Sequence, residues 1–275
     1  MNSFKPHLLI IAILVLIAGC LNITTAATSN TIQVSSGGTI IYSAPLRHID
    51  FETRDFSQIP PGDTWGDPST SFPTLVTDMV HSGTYAAECS VGGTSASSKT
   101  SELRMWSIPP KITSLYYSLW IYVQSGYEVV AGANTWNMIC EWYAPPPVAA
   151  NQHVGIMMMT SGGVKNNLYF HFYQIHVEWG IPGADPAHDC ALMFSNVSMP
   201  TGRRVHFETF YRTDLVNGVI QVKMDDQVIL DWRGRTEFYP GSTTDIGYSV
   251  GNYCGGGAPA HSFWFDDLWI DSVPH

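Results

Sequence analysis

The chain has 275 residues, with 13 Lys and Arg against 23 Asp and Glu and a formal net charge of −10 at pH 7. Only 13% of residues are charged and no basic run occurs, which argues against nucleic acid as a partner. Nine Trp, 13 Tyr and 12 Phe suit rings stacked on sugar faces, and they equally suit a thick β core.

Residues 1–20 read as an export signal: Lys5 is followed by an apolar run from Leu8 to Ile17 and by Ala18-Gly19-Cys20. The run is short for a membrane span. Ile17 to Cys20 resembles a lipobox, so lipidation of Cys20 is expected to hold the protein at a membrane surface through an acyl anchor. A plain secretion signal cut near Ala26-Ala27 is the alternative. Residues 21–38, rich in Ser, Thr and Gly, read as a flexible tether, and 39–275 as one domain.

Helical periodicity is nearly absent. Short alternating or apolar runs predict strands at 40–42, 49–52, 85–89, 101–106, 114–122, 136–143, 154–159, 168–176, 204–213, 219–224, 227–232, 245–253 and 261–270. Val216-Asn217-Gly218 and Asp225-Asp226 read as hairpin turns, and 180–189 as a long loop. Cys89, Cys140, Cys190 and Cys254 allow two disulfides in three connectivities, or buried free thiols.

The order of several motifs is informative. Ile49-Asp50-Phe51-Glu52 is followed by His81-Ser82-Gly83-Thr84-Tyr85 and Ser101-Glu102-Leu103-Arg104. Then come Gly218 to Asp225, Gly251-Asn252-Tyr253 and Phe265-Asp266-Asp267-Leu268-Trp269-Ile270. This series resembles the jelly-roll polysaccharide lyases of the alginate and glucuronan lyase type, within the concanavalin A-like lectin/glucanase group. The resemblance implies an all-β, concanavalin A-like jelly-roll β-sandwich of two antiparallel sheets. It implies β-elimination on an acidic, uronate-containing polysaccharide. Thr100 stands where the family has its first Arg, with Lys99 beside it, and Ser249 stands at the family's lysine position. A Gln174-Ile175-His176 lies one strand later than the family's Gln-x-His. The group's structural Ca²⁺ between first and last strands would use Asp50, Glu52, Asp266 and Asp267, with a carbonyl near Gly83. Strand-end capping is the other role open to these acids.

Side-chain alternation sorts the candidates by face. Leu103 and Met105 point inward, and Glu102, Arg104 and Trp106 outward. Leu168, Phe170 and Phe172 pack inside, and Tyr169, His171 and Tyr173 point out. Glu141 and Tyr143 share a face with Ile139. A lyase needs a group that neutralises the uronate carboxylate and a base for the C5 proton. Arg104, helped by Lys99, can do the first, unless it serves only as a salt bridge to Glu102. His171 or Tyr173 can do the second. Glu102 and Glu141 form the pair that a hydrolase would need. Trp106, Trp142, Tyr143 and Tyr253 could stack on sugars, with Arg104 and Asn252 as donors, in a carbohydrate-binding module without chemistry.

Overall fold

A computed structural model describes residues 31–34, 40–43, 47–59, 64–66, 72–93, 98–105, 114–130, 135–143, 152–175, 179–181, 184, 190–238, 247–272 and 274. Residues 1–20, expected to be an export signal, with Cys20, and also Trp106, lie outside these residues. Every element among them is a strand. The first 44 residues form their own unit. In it β1 (Thr31–Val34), inside the segment read as a tether, pairs antiparallel with β2 (Ile40–Ser43).

Residues 45–275 form the second unit, built of two antiparallel sheets. The front sheet contains β4 (Thr64–Gly66), β7 (Lys99–Met105), β9 (Asn137–Tyr143), β10 (His153–Ser161), β11 (Val164–Tyr173), β12 (Cys190–Ser198) and β16 (Gly247–Cys254). Its strand order is β12-β11-β10-β9-β16-β7-β4. The back sheet contains β5 (Thr74–Val76), β6 (Ala86–Val91), β8 (Ser114–Val123), β13 (Arg204–Arg212), β14 (Gly218–Met224), β15 (Gln227–Gly234) and β17 (His261–Asp271). Their order is β15-β14-β13-β8-β17-β6-β5, and β3 (Arg47–Ile49) pairs with β17. This is the jelly-roll sandwich that the sequence predicts.

Alternation builds the core. Leu115, Tyr117, Leu119, Ile121 and Val123 of β8 all face the front sheet, where they meet Leu168, Phe170 and Phe172 of β11 and Leu103 of β7 in one cluster. Burying such a side chain contributes about 1.5–3 kcal/mol. Aromatic pairs bridge the two layers: Tyr117 stacks on Tyr248 at 3.5 Å between centroids, and Phe172 meets Trp232 at 5.5 Å.

Two departures from simple alternation matter. In β17 the register with β8 shifts between Asp266 and Trp269, and Asp267 takes a positive φ of 48°. Phe265 and Leu268 therefore both enter the core, as a β-bulge allows. The strand expected at 49–52 ends at Ile49. Phe51 turns to φ 61°, its amide donating to Gln58 Oε1 at 2.8 Å, yet its ring stays in the core.

Cys89, Cys140 and Cys254 are free, buried thiols. Burial pushes all three above the usual thiol range, Cys254 to about 11.

The Asp225-Asp226 turn joins β14 to β15 with φ of 48° and 66° at its two residues. Such a two-residue turn prefers Gly at its second position. Asp226→Gly should therefore stabilise the protein by roughly 0.5–1 kcal/mol in urea unfolding. Destabilisation by the same amount would refute this account of the turn.

Candidate functional site

The register of the front sheet sets its outward side chains in three rows. One row runs Tyr143, His153, Tyr173, Cys190 across β9 to β12. The middle row runs Arg104, Ser249, Glu141, Gly155, His171, Leu192 from β7 to β12. The third runs Tyr253, Met138, Met157, Tyr169, Phe194 from β16 to β12. Together they cover the outer face of the front sheet, where His153, His171, Tyr173, Cys190 and Leu192, with Tyr253, Met138, Met157 and Tyr169 of the third row and Trp136, line a groove of about 510 Å³; Arg104, Ser249, Glu141 and Tyr143 lie on the same face outside its lining.

Glu102 is almost fully buried beneath this face. Its Oε2 accepts hydrogen bonds from Thr100 Oγ1 at 2.8 Å, Arg104 Nη2 at 3.1 Å and Arg104 Nε at 3.3 Å. Its Oε1 accepts from Ser249 Oγ at 3.3 Å, and Tyr143 Oη lies 3.0 Å from the same serine. Since Ser249 has one proton, Tyr143 then donates to Ser249. Gly251 makes this arrangement possible: a Cβ there would come within 2.7 Å of Glu102 Cγ and 2.5 Å of the Ser101 carbonyl oxygen. The Arg104 guanidinium also lies over the Tyr143 ring at 5.9 Å.

Glu141 sits beside this pair, also buried. Burial pushes its carboxyl well above the usual range, the Glu102 charge pushes it further, and Arg104 draws it part of the way back. Glu141 is thus held as the acid where an exposed Glu is ionised. His153 Nε2 lies 3.9 Å from Glu141 Oε2, and its ring stacks on Tyr173 at 4.9 Å. Burial lowers His171 to about 4, so its imidazole is neutral at pH 7. Its Nδ1 is buried without a hydrogen-bond partner.

The outer face of the front sheet thus carries Glu102, Arg104, Glu141, Tyr143, His171, Tyr173 and Tyr253, and of these His171, Tyr173 and Tyr253 line the groove. Three residues expected as ligand contacts are elsewhere. Trp142 is fully buried, 5.4 Å from Tyr211 and 5.8 Å from Tyr248 between centroids, because Cys140 and Trp142 point inward when Glu141 points out. Lys99 shares the face of Leu103 and is 1% exposed, its Nζ donating to the Ala258 carbonyl at 2.9 Å. Asn252 is buried as a brace between sheets. Its Nδ2 donates to the carbonyls of Cys89 and His261, and its Oδ1 accepts from Asn137 Nδ2 at 2.9 Å. Ile139 does not share the Glu141 face. The β9–β10 register shifts there, turning Met138 to the groove and Ile139 to the core. Of the displaced Gln-Ile-His, Ile175 is a core residue and His176 lies outside the described residues.

Sequence reasoning placed Ser249 at the family's lysine position and quoted Gly251 in a motif, but it missed Gly155 and the thioether row, whose only signal was strand parity.

The four acids expected to bind calcium are engaged by hydrogen-bond donors instead. Asp50 Oδ1 accepts from Glu52 N and Gln58 Nε2, and Glu52 Oε1 from the amides of Thr84 and Tyr85. Asp266 accepts the amides of His81, Ser82 and Asp267. Burial would raise Asp267, but hydrogen bonds from His48, His81 and Ser82 bring it to about 2. Among the described residues, the group of His, Cys, Asp or Glu with ligand atoms all within 4.8 Å is His206, Glu208 and Asp226, on the back sheet. Glu52, Asp266 and Asp267 hold the 81–85 segment while Asp50 holds Gln58, and the four acids are not among the residues whose ligand atoms converge.

No protein-family model matches the chain, and no curated protein sequence matches it. Solved structures do. The endo-β-1,4-glucuronan lyase of the fungus Trichoderma reesei matches with a TM-score of 0.57 and 11% identity, covering 84% of this chain and 96% of that one. The alginate lyase vAL-1 from Chlorella virus matches with a TM-score of 0.54 and 11% identity, over 73% and 89%. The cellulose-induced protein Cip1 matches at 0.53 and 18% identity, over 82% and 97%. At these identities the likeness is one of architecture, and the chain has the jelly-roll β-sandwich fold of the polysaccharide lyases.

Proposed function

We propose that this protein is an exported polysaccharide lyase that cleaves a uronate-containing glycan by β-elimination. The observation that supports this most is the middle row of the outer face. A cation, a carboxylic acid and a neutral imidazole stand in one line, with glycine between the last two.

β-Elimination removes the C5 proton next to a carboxylate and therefore needs that carboxylate's charge offset. Arg104 does this by charge, and protonated Glu141 by donating a hydrogen bond. The His171 imidazole takes the C5 proton. The C4–O bond breaks as the C4=C5 bond forms, and the Tyr173 hydroxyl gives the leaving oxygen its proton. Glu102 is the positioning residue that holds Arg104. The likeness in fold to a glucuronan lyase and an alginate lyase agrees with a uronate substrate. In the hydrolase reading Glu141 would be the acid and Glu102 the nucleophile or base. That reading is weaker because Thr100, Arg104 and Ser249 already engage both Glu102 oxygens.

The test is a panel of alginate, glucuronan, pectate and neutral β-glucans. Absorbance of the unsaturated uronate should rise, and Arg104→Ala, assayed below the lowered melting temperature that loss of the Glu102 partner brings, should cut kcat/KM by about 100-fold or more. Reducing ends without absorbance would replace this reading with hydrolysis, and glycan retention without either would replace it with binding alone.

Two pH effects follow. Because His171 is lowered to about 4, kcat/KM should hold as pH falls through 6.5 and drop only near 4. An acid limb near 6.5 would remove His171 as the base. Glu141 has a raised folded pKa, so its effect on stability is favourable below about 4.5 and is lost as pH rises. Glu141→Gln should consequently raise the melting temperature at pH 8 more than at pH 4, while lowering turnover about tenfold or more. A variant less stable at pH 8 than at pH 4, relative to the parent, would contradict the protonated state.

A further inference from the structure

We infer that the groove selects a glycan in which single uronate residues are separated by neutral sugars, rather than a polymer with a carboxylate on every sugar. The inference deepens the lyase reading above and rests on it for the identity of the reacting residue.

The count of cations carries the first half. Of the 13 Lys and Arg in the sequence, three stand on strands of the front sheet: Lys99, Arg104 and Lys165. Lys99 is buried on the inner side with Nζ on the Ala258 carbonyl. Lys165 pairs with Glu128 at 2.7 Å. Arg104 alone of the three stands in the middle row beside the groove, and it already faces Glu102. Eight of the other ten belong to the back-sheet strands or segments adjoining them, and Lys5 and Lys111 lie outside the described residues. The imidazole of His171, the next basic group along the middle row, is neutral at pH 7. A polyuronate laid across this face would set one carboxylate against Arg104. The next ones would meet Glu102, Glu141, the rings of His153 and His171, tyrosines or apolar side chains. A carboxylate that gives up water there meets no Lys or Arg to offset its charge, which is unfavourable.

The third row carries the second half. Tyr253, Met138, Met157, Tyr169 and Phe194 form an apolar strip beside the middle row. Trp136 meets Tyr253 edge-on at 4.9 Å, and Tyr169 lies 5.1 Å from Phe194. Aromatic faces and thioethers suit the C–H faces of neutral pyranoses and their N-acetyl methyls. The same strip would oppose a row of charges. One cationic position beside an extended apolar strip thus matches one charged sugar beside uncharged neighbours.

The experiment compares binding and turnover on two defined probes. One is a hexasaccharide of glucuronate alone. The other is the hyaluronan hexasaccharide, in which glucuronate alternates with N-acetylglucosamine. Binding is measured by calorimetry with His171→Ala, and turnover by unsaturated-uronate absorbance with the parent protein. The alternating probe should bind at least about tenfold tighter, and Tyr253→Ala should weaken it about fivefold without changing the affinity for hexaglucuronate. Equal or tighter binding of hexaglucuronate, or no binding of either probe, overturns the inference. Preferential binding of the alternating probe without elimination of either supports the inference and removes the lyase reading. Elimination of hexaglucuronate with equal or greater kcat/KM overturns the inference and keeps the lyase.

Discussion

The ion pair between Glu102 and Arg104 sets the electrostatics of the whole front face. A buried carboxylate is costly unless its lone pairs are met, and here Thr100, Arg104 and Ser249 meet them. One guanidinium can offset one carboxylate. Burial first, and the Glu102 charge second, raise the proton affinity of Glu141 in the same patch, and Arg104 draws it only part of the way back. The outer face thus sets a raised carboxyl and a cation side by side.

Backbone without side chains makes that arrangement possible. Glu102 can lie toward β9 only because Gly251 of the intervening strand puts nothing in its way. Gly155 stands between Glu141 and His171 in the row, and the space a Cβ would take there is closed by thioethers, the Met138 methyl lying 3.2 Å from it. Beneath them Asn252 links the front sheet to carbonyls of two back-sheet strands. The polar row is thus fixed from below by a hydrogen-bonded brace and shaped from within by two glycines.

Much of this was legible from strand parity. The alternation of Leu168 to Tyr173 sorted core from outer face without error, as did Glu102, Leu103 and Arg104. Trp142 went astray because its ring was read as a sugar platform against the parity of its own strand. Ile139 went astray because a bulge reverses the alternation, and bulges have no signature in residue type here. Lys99 sits two residues from Ser101 and four from Leu103 on the inner face, and its long apolar stem is what lets it stay there. β12 was missed altogether. As an edge strand it is half exposed along its length, so Cys190–Ser198 lacks the clear alternation that burial on one face imposes.

The three buried thiols have a consequence for how the molecule is made. Cys89, Cys140 and Cys254 are packed as small apolar groups, and their raised proton affinities keep them from the thiolate form that reacts. The sandwich is joined instead by aromatic stacking and by Asn252, neither of which depends on an oxidant. The packing of its core therefore rests on no bond between Cys89, Cys140, Cys190 and Cys254, and a reductant has no cross-link among them to break.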